Sequence, residues 1–239
     1  MSSYALAIDI ETVANDRAEA YALSHERFEA PANYKDPAKI EQAILAKRSA
    51  SLEKAGLKWW TGKVVEICCI DTTGRLPPRH YFGEDEGKLL TAFGAGLTTD
   101  FKDHYMIGKS VLDFDFPFLM GRFLAHDLGI PSQLRPDNSY RLTDVDKIFG
   151  YSATSGQRGK LDDYAWGLGI TGKTSHGSEV GALYNRILLG EEGAIQQLKD
   201  YCQQDTQIVV EMFRRYAKVF TLQGENFSDV IAVIKDFTT

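Results

Sequence analysis

The stretch AIDIET, Ala7 to Thr12, lies in the first apolar segment of the chain and decides how the rest is interpreted. The residues from Tyr4 to Ile10 are mostly apolar and lack a helical period, which predicts a short β-strand. Because successive side chains of a strand point to opposite faces, Asp9 and Glu11 share one face near the end of this strand. Two such carboxylates repel each other and lose hydration, so we expect a divalent cation with oxygen ligands beside them.

A plainer explanation of the same residues is that the strand ends at Asp9 and that both acids are hydrated. The pattern Asp-x-Glu does not distinguish between the two explanations. Other segments of the chain therefore have to decide.

The composition is that of an ordinary globular protein. The chain has 239 residues, of which 44% are hydrophobic and 25% charged, enough for one large domain or two small ones. Its net charge of −6 argues against a protein that coats nucleic acid, and it remains compatible with a nuclease because acidic metal ligands contribute to that total. No apolar run is long enough to span a bilayer and no signal peptide opens the chain, so we expect an intracellular, cytoplasmic protein with no membrane partner.

The three cysteines, Cys68, Cys69 and Cys202, lack the spacing of a metal site. Cys68 and Cys69 are neighbours inside an apolar, strand-like run. We therefore expect buried free thiols in a reducing compartment.

Hydrophobic patterns predict a mixed sheet with helices that dominate the later part of the chain. We expect one α/β domain over residues 1–239, with a helical, basic insertion at about 15–61. The predicted strands after the first are Gly62–Asp71, Arg79–Gly83 and His104–Gly108. The predicted helices are Glu86–Leu97, Phe116–Gly129 with Gly129 as its stop, Leu161–Leu168, Val180–Leu189 and Glu191–Phe220.

The insertion contains one well-marked helix, with Asp36 as its N-cap and Pro37 at its first position. From Lys35 to Lys63 there are seven basic residues against three acidic ones, and Trp59 and Trp60 follow near the end. One interpretation is a segment that holds a single strand by charge and base stacking. The other is a hydrated helix face followed by two core tryptophans.

Three later segments carry further candidate residues. In GKSVLDFDFPFLMGR, Asp113 and Asp115 precede a helix, although Asp115 also suits an N-cap. In YCQQD, Tyr201 and Asp205 are four residues apart and share a helix face, although a surface tyrosine beside a hydrated acid has the same spacing. The segment KLDDYAWGLGITGKTSHGSEV is a helix followed by a glycine-rich loop, which by itself indicates an ordinary connector.

In their order and spacing these motifs resemble the DEDD 3′–5′ exonucleases. The tyrosine of YCQQD is typical of the DEDDy branch, and the chain is most similar to the free-standing form of the proofreading exonuclease domain of family-B DNA polymerases. The segment FDFPFL resembles that family's second motif and makes Asp115, rather than Asp113, the matching acid. The resemblance extends from about Tyr4 to Tyr216 and implies a ribonuclease H-like mixed sheet flanked by helices.

The resemblance implies a catalytic set of four acids and one tyrosine: Asp9, Glu11, Asp115, Asp205 and Tyr201. The four acids would bind two Mg²⁺ or Mn²⁺ ions, which stabilise the attacking and leaving oxygens. Tyr201 would orient the attacking water, because a hydroxyl with a pKa of about 10 is a poor base at neutral pH.

We also expect substrate contacts from six residues: Thr12, Ser110, Phe114, Phe116, Lys47 and Arg48. Ser110 departs from the family, which often has asparagine at this position. Phe114 and Phe116 are candidates to stack on the terminal bases, and we expect one of the two to pack in the core instead.

The implied function is metal-dependent digestion of single-stranded DNA from its 3′ end to nucleoside monophosphates. One alternative is an exonuclease that trims RNA 3′ ends, because no residue reveals a contact to the sugar 2′-hydroxyl. Another is an inactive module that binds nucleic-acid ends. A polymerase domain is absent from this sequence, so we expect the protein to act alone or with a replication or repair protein.

Overall fold

The computed structural model describes residues 4–135, 142–149, 159–172 and 180–222. Within these ranges the strands are β1 Tyr4–Ala14, β2 Gly62–Asp71, β3 Arg79–Phe82, β4 His104–Gly108 and β5 Leu142–Asp144. The helices are α1 Ala18–His25, α2 Pro37–Ala55, α3 Glu86–Thr98, α4 Asp115–Ala125, α5 Val145–Phe149, α6 Leu161–Leu168, α7 Val180–Leu188 and α8 Ala194–Leu222.

The strands form one mixed sheet in the order β3-β2-β1-β4-β5. The pairs β1–β2 and β2–β3 are antiparallel, whereas β1–β4 and β4–β5 are parallel. Helices flank this five-stranded sheet. The predicted α/β class is therefore confirmed, and the arrangement is consistent with a ribonuclease H-like fold.

The central strand β1 is longer than the sequence predicts. It continues from Ile10 to Ala14 because β2 pairs with it up to the contact between Ala14 and Gly62, with a bulge between Glu11 and Thr12. The two acids therefore lie inside the strand rather than at its end. The plainer explanation, in which the strand ends at Asp9 and both acids are hydrated, is wrong, because Glu11 is buried and Asp9 is half-buried.

Hydrophobic side chains cover both faces of the sheet. One cluster joins Leu6, Ile8 and Ile10 of β1 to apolar residues of α3 and α4. A second cluster joins Ala5 and Ala7 of β1 to apolar residues of α6 and α8. Strand alternation places Asp9 and Glu11 on the face of Ala5 and Ala7, so α8 lies over both acids.

The insertion between β1 and β2 forms α1 and α2. The predicted N-cap of α2 is confirmed, since an Asp36 carboxylate oxygen accepts a hydrogen bond of 3.0 Å from the N–H of Ala38, with Pro37 in the first turn. The cysteines are buried and free, as expected. Among the described residues, no helix combines the length and the apolar character that a membrane crossing requires.

Several element ends differ from the prediction. Helix α4 ends at Ala125 and Gly129 is not its stop: Asp127 adopts a left-handed conformation (φ 53°), and the N–H of Leu128 bonds to the carbonyl of Phe123 at 2.9 Å. This Schellman-type ending uses an aspartate where glycine is usual. Helix α8 begins at Ala194 rather than Glu191, directly after Gly193 with φ 80°. The sequence patterns did not predict β5, α1 or α5.

Candidate metal centre

The two acids of β1 lie side by side beneath α8. Ligand atoms of Asp9, Glu11 and Cys202 all lie within 4.8 Å of one another, a spacing that could hold a metal ion. The Sγ atom of Cys202 is 3.7 Å from a carboxylate oxygen of Asp9 and 3.6 Å from its carbonyl oxygen. Cys202 was not among the predicted site residues, although it directly follows Tyr201 on α8.

Asp115 approaches Asp9 from the edge of β1 that pairs with β4. Strand β4 pairs with β1 only from Tyr4 to Ala7, so the backbone of β1 beyond Ala7 is open on that side. Asp115, the first residue of α4, enters this opening and is only 3% exposed. Its pKa lies well above the ordinary value, first because of burial and then because of the charge of Asp9, although a hydrogen bond from the N–H of Ile10 opposes the rise. Asp113, the other candidate, is exposed.

Helix α8 supplies Tyr201 and Asp205, both of which are buried. Burial is the main cause that raises the pKa of the Tyr201 hydroxyl far above its usual value. The charges of Glu11, Asp205 and Asp9 raise this pKa further, as does a hydrogen bond between the Tyr201 hydroxyl and Asp205. The tyrosine therefore lies within the field of the acids from β1 and stays protonated at neutral pH.

The donor set suits a hard divalent cation. Carboxylate oxygens from β1, α4 and α8 are the ligands that Mg²⁺ and Mn²⁺ prefer, and Cys202 adds one softer sulfur atom. The raised pKa of Asp115, caused first by burial and then by the charge of Asp9, means that its ionised form is costly in this position. A bound cation would remove this cost, so the residues fit a metal centre.

A second pair of buried acids, Asp144 and Asp146, holds the loop that leads into α4. Asp144 accepts hydrogen bonds from the N–H groups of Ser110 (3.0 Å) and Leu112 (3.1 Å). The hydroxyl of Ser110, whose backbone is left-handed (φ 57°), donates to Asp146 at 2.7 Å, and Lys109 adds an ion pair at 3.1 Å. The sequence analysis missed both acids because no local motif marks them; they act by fixing the position at which α4 and Asp115 begin.

This loop also changes the interpretation of Ser110. It was predicted to contact substrate, but its hydroxyl donates a hydrogen bond to Asp146.

The prediction for Phe116 requires a correction as well. Phe116 is 4% exposed and belongs to the hydrophobic core, against which Phe114 also packs, so little of the Phe116 ring is left for a stacked base. Phe114 is half-buried, with its ring 5.5 Å from that of Phe118.

The remaining predicted substrate residues lie on β1 and in the insertion. Thr12 is half-buried and directly follows the bulge after Glu11. Lys47 donates to the carbonyl of Glu29 at 2.7 Å, and Arg48 forms an ion pair with Glu19 of α1. The contacts of both basic side chains are thus with their own insertion rather than with the acids of β1.

Comparison with known proteins adds evidence on the fold. No family model matches the chain, and no curated protein does. Among solved structures, it is similar to the family B DNA polymerase from the hyperthermophilic archaeon Pyrobaculum calidifontis, with 14% identity and a TM-score of 0.57. The likeness is one of fold. It covers 90% of this chain and 24% of the polymerase chain, so this chain spans about a quarter of that protein.

Proposed function

We propose that the protein is a metal-dependent 3′–5′ exonuclease that degrades single-stranded DNA to nucleoside monophosphates. The observation that carries the proposal is the convergence of acids from three elements. Asp9 and Glu11 come from β1, Asp115 from α4 and Asp205 from α8, and the charges of three of them act on the hydroxyl of Tyr201. The similarity in fold to a DNA polymerase supports a nucleic-acid substrate.

The four acids would hold two Mg²⁺ or Mn²⁺ ions. Such a pair, when bound, supplies an activated water and stabilises the charge on the attacking and leaving oxygens. The protein's own contribution would be to bring together carboxylates from separate elements, of which Glu11, Asp115 and Asp205 are buried and Asp9 is half-buried. Asp144 supports this arrangement, because its bonds to the loop before α4 determine where Asp115 enters.

Tyr201 has the properties of a group that orients water rather than one that removes a proton. Its raised pKa keeps the hydroxyl protonated, and because its one proton is donated to Asp205, the hydroxyl oxygen can accept a hydrogen bond from the attacking water. Attack on the last phosphodiester forms one bond from water oxygen to phosphorus and breaks the bond to the 3′ oxygen, which leaves with a proton. The products are a nucleoside 5′-monophosphate and a strand with a new 3′ hydroxyl.

The preference for a single strand follows from access to the last phosphodiester. The terminal bases of a duplex must unpair before their phosphate reaches buried acids, which costs a few kcal/mol, whereas a single strand pays little. The net charge of −6 also gives no broad basic surface for a duplex.

The decisive experiment follows a DNA strand labelled at its 5′ end in the presence of Mg²⁺. We expect stepwise shortening from the 3′ end, with the label retained on ever shorter strands. A chelator should abolish this activity. Asp9→Asn and Asp205→Asn should abolish hydrolysis with the fold intact, because each removes a charged ligand, and Asp113→Asn is the matched control.

Several outcomes would contradict the proposal. Early release of the 5′ label would reverse the direction, and wild-type rates in either ligand variant would remove the metal assignment. Faster hydrolysis of a matched RNA strand would move the substrate to RNA 3′ ends, and binding without hydrolysis would indicate a module that only holds ends.

A further inference from the structure

Two neighbouring tryptophans at the end of the insertion are open to solvent. Trp59 is 41% exposed and Trp60 is 44% exposed, and their rings meet edge to face with centroids 5.7 Å apart. The interpretation of these residues as core tryptophans is therefore wrong. Large aromatic side chains that remain exposed side by side are typical of a binding surface.

The backbone of this pair is anchored to the body of the protein. Arg122 of α4 donates a hydrogen bond of 3.0 Å to the carbonyl of Trp59. The ring of Trp59 lies against Gly121, where an added Cβ atom would be 2.4 Å from Cδ2 of the indole. Arg122 is fixed in turn by the buried carboxylate of Glu86, at 2.6 Å from its Nη2. The aromatic surface is thus pre-organised, which lowers the entropy lost on binding.

Helix α4 carries both Gly121, beneath the ring of Trp59, and Asp115 of the candidate metal centre, and Phe118 between them is buried in the core. Phe114, Phe118 and Gly121 are spaced by four and three residues, so they lie on one side of the helix. Phe114 and Phe118 contact each other, and Gly121 supports the ring of Trp59. Asp115 is six residues before Gly121, which corresponds to about 9 Å along the helix.

The charge around the pair complements a nucleic-acid backbone. The chain as a whole carries −6, yet the segment from Lys35 to Lys63 has seven basic residues against three acidic ones. Lys54 is exposed, whereas Lys58, half-buried directly before Trp59, forms an ion pair with Glu26 at 3.9 Å. Aromatic rings for stacking and nearby cations for phosphates are the two components with which proteins hold single strands.

We propose that Trp59 and Trp60 form a stacking subsite for bases of single-stranded DNA upstream of the phosphodiester that would lie at the acids. The inference rests on the proposed function and adds a contact surface for the strand to it. The subsite acts on binding and not on the chemical step. Its loss should therefore raise KM for strands long enough to reach it.

Tryptophan fluorescence tests the subsite without any hydrolysis. The chain has three tryptophans, and Trp166 lies on α6 with 87% of its surface exposed, so Trp166→Phe leaves only the pair as emitters. Titration of this variant with an oligo(dT) of about ten nucleotides in a chelator should quench the emission with saturation. The absence of saturable quenching would overturn the inference. The measurement requires no substitution of Trp59 or Trp60.

Kinetics provide the second test. Trp59→Leu and Trp60→Leu should each raise KM for the same strand by roughly 5- to 150-fold, the range that a stacked base contributes. The single-turnover rate at saturation should not change, because the pair would act on binding and not on the chemical step. Trp166→Leu is the matched control and should leave KM unaltered.

The two proposals fail in different ways. Quenching by oligo(dT) without any hydrolysis by the wild-type protein would support the subsite and overturn the exonuclease. Normal hydrolysis with an unaltered KM in both leucine variants would overturn the subsite and leave the exonuclease in place.

Discussion

Replacement of Glu86 with glutamine tests the buried anchor that joins β2, α3 and α4. The Glu86 carboxylate is 5% exposed and accepts hydrogen bonds from the N–H of Val64 at 2.7 Å and from Arg122 Nε at 2.9 Å and Nη2 at 2.6 Å. It also lies 2.8 Å from Nε2 of His126. Through Arg122 the same anchor holds the carbonyl of Trp59.

Glutamine has the shape of glutamate but lacks its charge and one of its two acceptor oxygens. The guanidinium of Arg122 would then lose its counter-charge in a site where its own side chain is only 11% exposed. Loss of one partner from a buried ion pair costs roughly 3–5 kcal/mol. In a chain of this size each kcal/mol lowers Tm by about 2–4 °C, so we expect Glu86→Gln to lower Tm by roughly 6–20 °C.

Thermal unfolding followed by circular dichroism measures this change. The matched control is Glu191→Gln, which breaks the exposed ion pair with Arg186, and we expect its Tm to equal that of the wild type. Glu86→Gln should also weaken the quenching of Trp59 and Trp60 by oligo(dT), since the Trp59 carbonyl loses a firmly held donor. A Tm for Glu86→Gln equal to that of the control would refute the reasoning, because the buried carboxylate would then carry no stability.

Three further predictions concern single side chains. Asp115→Asn should abolish release of mononucleotides whereas Asp113→Asn should be close to the wild type, and the reverse result would make Asp113 the ligand. Tyr201→Phe should slow the single-turnover rate by roughly 10²–10⁴-fold, while calorimetry should show unchanged metal binding. An unchanged rate would mean that the tyrosine serves only in packing. Burial raises the pKa of Glu66 from 4.5 to about 7 despite its hydrogen bond to His80. This group stabilises the fold fully below pH 4.5 and loses that contribution as the pH rises through 7, so the free energy of unfolding of the wild type should fall by about 3 kcal/mol relative to Glu66→Gln over this window. Parallel pH profiles of the two proteins in urea titrations would contradict the raised pKa.

The sequence by itself determined the elements whose signals are local. Local apolar patterns predicted β2 and α6 with their observed bounds, because such a pattern depends only on the residues of one strand or one helix. The cap of α2 was equally accessible, since Asp36 and Pro37 act on the helix that directly follows them. Strict alternation along β1 also placed Asp9 and Glu11 on one face, whatever else the chain does.

Only the tertiary structure decided where β1 ends and which aromatic side chains are exposed. Residues 11–14 are a strand because Gly62–Glu66 of β2 pair with them, a contact across about fifty residues that no local pattern reveals. Phe116 and Trp59 are both aromatic residues next to polar ones. Phe116 is nevertheless buried in the core between the sheet and α4, whereas Trp59 packs against Gly121 and stays partly exposed. Burial depends on which elements meet, and a sequence window does not contain that information.

The candidate site divides in the same way. The residue types and the spacing of Tyr201 and Asp205 were visible in the sequence, but their approach to β1 was not. Asp115 reaches Asp9 because β4 leaves β1 after Ala7, and Tyr201 lies near Asp9 because α8 packs on the face of Ala5 and Ala7. Cys202, Asp144 and Glu86 stayed unpredicted for the same physical reason: each acts through a partner more than twenty residues away, and such contacts form only when the sheet and its helices assemble.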